Sequence, residues 1–180
     1  MNTAFTKMKK VLAITVVVWQ IPMLMLWKLV YDLVKYACHE VIILNGGQLV
    51  LEFRPEQLGK AILSYLPMIL ALLICLFFSV LSLIWLLKRK DNLGITWICV
   101  HGISLVACGV LICAFVCSRD PENLSEYLFF RYFMGSELNL TQIIPFWEAI
   151  KYIFVGIHAV LSGALVSLGI IEFVNKKRLK

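Results

Sequence analysis

Between Ala61 and Leu87 the chain carries no charged residue. At about 1.5 Å per residue this run reaches roughly 40 Å as a helix. That is more than enough to cross about 30 Å of hydrocarbon. A soluble domain would have to hide every face of such a helix. Here only 16% of the residues are charged and 61% are hydrophobic. An ordinary soluble domain is about half apolar and about one quarter charged. A chain of 180 residues with this balance, and with a mean hydropathy of +0.88, cannot build a soluble surface. The same arithmetic excludes a disordered chain and a disulfide-stapled secreted domain.

Three further runs meet the length requirement. The expected spans are 11–31, 61–87, 93–117 and 146–174. They are continuous and far longer than the roughly ten alternating residues of a membrane β-strand. The expected fold class is therefore an all-α integral membrane protein, a four-transmembrane-helix bundle forming one domain over residues 1–180. Span 2 must tilt, kink or protrude, and Pro67 near its start is the expected kink point. Span 1 follows a lysine-rich start and lacks a small-x-small cleavage site, so it is read as an uncleaved anchor.

Basic residues flanking the spans set the orientation. Lys7, Lys9 and Lys10 precede span 1; Lys88, Arg89 and Lys90 join spans 2 and 3; Lys176, Lys177, Arg178 and Lys180 follow span 4. With Asp91 and Glu172 these regions carry a net +8, while the rest of the chain carries −2. Both termini are expected to be cytoplasmic, in a plasma or inner membrane. The basic balance then reports topology and contact with anionic headgroups. It gives no folded basic face for nucleic acid.

Two segments, 32–60 and 118–145, fall outside the spans and are expected to form a small extracytoplasmic cap. Asn45-Gly46-Gly47 separates two β-prone runs, a strong hairpin signal because both turn positions accept positive φ. The competing reading extends helix 1 through Leu44. In the second segment, Asp120-Pro121 has the form of a helix start and Gly135 of a stop. The aromatic residues between them suit a short interfacial helix or a cap packed on the bundle. Pro145 is expected to open helix 4. Asn123-Leu124-Ser125 and Asn139-Leu140-Thr141 match the glycosylation acceptor pattern.

The best polar constellation is Lys28, Asp32, Lys35 and His39, spaced i, i+4, i+7 and i+11. On a continuing helix they form one stripe. It is either an outer vestibule or a solvated helix end whose lysines snorkel. Gly156, Ala159, Gly163 and Ser167 form a small-residue stripe on span 4, with Gly102 and Gly109 as a sparser counterpart on span 3. Such stripes let helices approach closely, within the bundle or between chains.

Of six cysteines, Cys38 and Cys117 fall near the outer surface and are the disulfide candidates. Cys75, Cys99, Cys108 and Cys113 are read as small hydrophobes at membrane depth. His101, Ser104 and Cys108 share a face, as do His158 and Ser162, which suits interhelical hydrogen bonding. The estimated depths of His101 and His158 differ by about 12 Å, which argues against bis-histidine haem ligation. No phosphate loop, H-E-x-x-H or G-x-S-x-G occurs. No cofactor, metal or catalytic residue is expected.

The functional expectation is a non-catalytic protein acting by association, a subunit or regulator of a membrane assembly. Its expected partners are the lipid bilayer and other membrane protein subunits or copies of itself. The alternatives are a small transporter or channel component using the Lys28–His39 stripe, and a membrane thiol redox protein.

Overall fold

A computed structural model describes residues 3–43, 49–88, 94–117 and 140–178. Its helices are α1 (Thr3–Val18), α2 (Gln20–Tyr36), α3 (Leu58–Leu87), α4 (Gly94–Cys117) and α5 (Leu140–Arg178). Strands β1 (His39–Ile43) and β2 (Leu49–Phe53) and a short 3-10 turn at Pro55–Gln57 lie between α2 and α3. Four segments, Thr6–Lys35, Pro55–Leu87, Gly94–Cys117 and Ala149–Lys177, are long and apolar enough to cross a membrane. The chain is thus a helical, multi-pass membrane protein.

The first span is a broken helix. α1 ends at Val18 and α2 begins at Gln20. The cause is Pro22, which has no N–H to offer the Val18 carbonyl one turn back. Trp19 stays in the α region, with φ −64° and ψ −16°, so the two pieces remain stacked. α3, by contrast, runs unbroken through Pro67. α5 starts at Leu140, earlier than expected, so Pro145 lies inside the helix rather than opening it.

The α1–α2 span lies against α3 and α5, and α4 lies against both α3 and α5, which closes a four-membered ring. The start of α4 meets the end of α5. A Cβ built on Gly169 would come 2.9 Å from the Gly94 carbonyl oxygen and 3.0 Å from Ile98 Cγ1. Only residues without side chains allow backbones this close. Val16, Trp97 and Leu165 pack together toward that end. Met23, Leu26, Leu72, Leu111 and Phe115 fill the remainder of the core.

The surface is apolar on every span. Ile21, Leu63, Val106 and Val160 are 66–73% exposed. Lys9, Gln20, Ser79, His101, Ser104 and His158 are instead buried. This is what hydrocarbon demands, because an unsatisfied polar group facing lipid costs several kcal/mol.

The hairpin is present. β1 and β2 pair antiparallel, with His39 opposite Phe53 and Ile43 opposite Leu49. The Arg54 N–H donates to the Cys38 carbonyl at 2.7 Å and extends the ladder. The Asn45-Gly46-Gly47 turn, the Asp120–Gly135 segment and both glycosylation patterns at Asn123 and Asn139 lie outside the described residues.

Candidate functional site

Polar side chains from every span converge in the bundle interior. Pro22 sets the local geometry at Gln20, which opens α2 immediately after the break. The Gln20 side-chain amide donates to Ser79 Oγ on α3 at 3.0 Å and lies 3.3 Å from His158 Nδ1 on α5. On the other edge of the imidazole, His158 Nε2 is 3.0 Å from Ser104 Oγ on α4. His158 therefore ties α2, α4 and α5 together and is fully buried. If the Gln20 amide donates to Nδ1, the ring carries its proton on Nε2 and donates to Ser104.

Two cysteines border this imidazole. Cys75 lies one turn before Ser79 on α3 and Cys108 one turn beyond Ser104 on α4. The two Sγ atoms and a ring nitrogen of His158 lie within 4.8 Å of one another, and all three residues are buried. Cys75 Sγ is 3.9 Å from the Ser104 carbonyl oxygen. The Ser79 hydroxyl donates to the Cys75 carbonyl at 2.6 Å, and Ser82 donates to the Ser79 carbonyl at 2.9 Å.

A second polar layer lies one turn nearer the Gly94–Gly169 contact. It contains Trp97, His101 and Ser162. The Trp97 and His101 rings meet edge to face at 5.7 Å. Trp97 Nε1, both ring nitrogens of His101 and Ser162 Oγ are buried without a hydrogen-bond partner among the described residues. Beyond them Lys9 on α1 pairs with Glu172 on α5, and its ammonium sits 5.0 Å from the centre of the Trp97 ring. These layers form one polar seam from the bundle end to its middle.

The sequence-derived residues fare unevenly. The shared faces of His101, Ser104 and Cys108 and of His158 and Ser162 do point inward. The 12 Å depth offset between the histidines is corrected. His158 meets Ser104, which is one turn from His101, so the offset is about 4.5 Å. The earlier figure counted from Val174 as the inner end, whereas Gly94 lies opposite Gly169.

Of the stripe Lys28, Asp32, Lys35 and His39, the first three lie on α2 and His39 does not. α2 stops at Tyr36, and the Cys38 N–H turns back to the Lys35 carbonyl at 3.2 Å. His39 then begins β1, off the helical face. Lys28 is exposed and Lys35 half-buried; the Asp32 and His39 side chains lie outside the description.

Cys38 and Cys117 are free thiols, not a disulfide. Cys38 is buried with its Sγ donating to the Val34 carbonyl at 3.2 Å, while Cys117 is exposed at the end of α4. A Cβ on Gly102, Gly109, Gly156 or Gly163 would meet no atom within 4 Å. Ala159 is half-buried beside the core, and Ser167 is exposed with its hydroxyl donating to the Gly163 carbonyl at 2.9 Å. The tight contact belongs instead to Gly94 and Gly169.

Gln20 escaped the sequence reading, although a single amide in an apolar span beside a proline is itself a signal of an interior polar contact. No family model, curated protein or solved structure matches the chain.

Proposed function

We propose that the protein acts by association, as a non-catalytic subunit or regulator of a larger assembly in the plasma or inner membrane, with both termini cytoplasmic. The observation that carries this reading is the outward placement of the small residues on α4 and α5. Gly102 and Gly109 lie on the face of α4 turned away from its buried residues, and Gly156 and Gly163 flank the buried face of α5. With no neighbour within 4 Å of an added Cβ, these positions leave shallow grooves on the bundle surface. Lipid chains gain nothing specific from such grooves. A partner helix gains close backbone approach and van der Waals contact. The partner is another membrane subunit or a second copy of this chain. The hairpin of β1 and β2, taken to lie on the outer side, adds to the surface open to a partner.

Photo-crosslinking in native membranes tests the reading. A photoreactive residue at Val106 or Val160, beside the grooves, is expected to capture a membrane protein. One at Leu63 on α3 is expected to capture lipid. Lipid adducts alone at all three positions, with only monomer by native mass spectrometry in mild detergent, overturn it.

A further inference from the structure

We propose that Cys75, Cys108 and His158 form a zinc site inside the bundle. Three different helices supply these side chains, so no sequence motif announces the site. Their three ligand atoms lie within 4.8 Å of one another. Zinc bonds of about 2.3 Å to sulfur and 2.0–2.1 Å to nitrogen place tetrahedral ligands roughly 3.5–3.8 Å apart. A contraction of at most about 1.3 Å, within reach of side-chain rotations, closes the cage.

The surroundings of the imidazole match those of a metal ligand. A ligating histidine keeps its second ring nitrogen in a hydrogen bond that fixes the ring. Here both nitrogens have such a neighbour. If Nε2 takes the metal, the Gln20 amide at 3.3 Å holds Nδ1, with its oxygen turned to accept the Nδ1 proton. If Nδ1 takes it, Ser104 Oγ at 3.0 Å holds Nε2. A water, or Ser104 Oγ when Nε2 ligates, fills the fourth position.

Charge selects zinc among thiophilic cations. An uncompensated charge in this apolar interior is costly. When Zn(II) binds, two S–H bonds break, two Zn–S bonds form and two protons leave for water. No electron moves. Two thiolates balance the dication, so the site is neutral before and after. Cu(I) bound to both thiolates would leave one buried negative charge. Bound to one thiolate it stays neutral but gives up a ligand. Hard cations such as Mg(II) and Ca(II) want oxygen and find none of the required carboxylates here.

The test uses the full chain in mild detergent under reducing conditions, stripped with chelator and titrated with Zn(II) alone. One zinc per chain and two protons released per zinc are expected. Co(II) in place of zinc is expected to show the sulfur-to-metal charge-transfer absorption and the ligand-field bands of a tetrahedral two-thiolate site. Cys75→Ser and Cys108→Ser should each weaken zinc binding at least tenfold, while Cys99→Ser and Cys113→Ser on the exposed surface leave it unchanged. If the core variants do not fold, the wild-type cobalt spectrum and proton release still decide. Failure to retain zinc, cobalt bands without sulfur charge transfer, or zinc binding unaltered in both core variants overturns the site. Stoichiometric Cu(I) uptake without zinc uptake overturns the choice of metal.

Discussion

At Gly169 a single methyl group decides whether α4 and α5 can meet. A Cβ there falls 2.9 Å from a backbone oxygen, which cannot swing aside as a side chain would. Overpacking of this kind costs about 1–3 kcal/mol. Gly169→Ala is therefore expected to lower the thermal midpoint in detergent, despite the better helix propensity of alanine. Gly163→Ala adds its methyl group to open space and should leave the midpoint unchanged or slightly higher. Equal midpoints for the two variants would contradict the close approach. Trp19 offers a second contrast at this scale. Its indole Nε1–H donates to the Phe154 carbonyl at 3.1 Å, and its ring meets Phe154 edge to face at 6.0 Å. Trp19→Phe removes the donor and keeps an aromatic ring, a loss of about 0.5–1.5 kcal/mol. Trp19→Ala also removes the packed ring and should cost about 3–5 kcal/mol. Chemical unfolding of the two variants in mixed micelles would separate these terms.

Elements are held in register by polar ties as much as by apolar packing. α1 and α5 are joined by Lys9 and Glu172, whose side chains are only 6% and 11% exposed. Removing one member of such a pair strands the other, at roughly 3–5 kcal/mol, whereas replacing both with apolar residues of similar volume is often neutral. Glu172→Gln is expected to destabilise the bundle, and the double variant Lys9→Met with Glu172→Leu to recover most of the loss. A double variant as unstable as the single would show that the tie is not what holds α1 to α5. The element scale also marks what a sequence can reveal. The run from Ala61 to Leu87 announces its helix because nothing but a membrane tolerates it. The inward faces of His101–Ser104–Cys108 and His158–Ser162 follow from helical periodicity. Periodicity gives a face but not the neighbour that covers it, so the meeting of Cys75, Cys108 and His158 was invisible. Each comes from a different helix, and their separations in sequence follow no rule. Gly94 and Gly169 were silent for the same reason, being lone glycines outside any stripe. The His39 error has a local cause: spacing arguments hold only while the helix lasts, and α2 ends at Tyr36.

For the molecule as a whole, the helices fix which ends lie together. The Lys9–Glu172 pair and the Gly94–Gly169 contact put the start of α1, the start of α4 and the end of α5 at one end of the bundle. The hairpin follows one full span from Thr6–Lys35 and so belongs to the opposite end. Among the described residues, Lys7, Lys10, Lys88, Lys176 and Lys177 fall at the first end, and the positive-inside rule makes that end the one expected to face the cytoplasm. Glu52 and Lys177 are both exposed, which makes them reporters for the two ends. The exposed cysteines Cys99, Cys113 and Cys117 can first be replaced by serine, leaving the buried Cys38, Cys75 and Cys108 in place. In that background Glu52→Cys is expected to react with a membrane-impermeant maleimide on intact cells, and Lys177→Cys only after permeabilisation. Reversal of the two would keep four spans and invert the orientation. Labelling of both from the same side would mean an even number of crossings between residues 52 and 177, whereas the bundle has three, and the four-span bundle would have to be abandoned. The expected result would place the hairpin on the outer face and the Lys9–Glu172 end of the polar seam toward the cytoplasm.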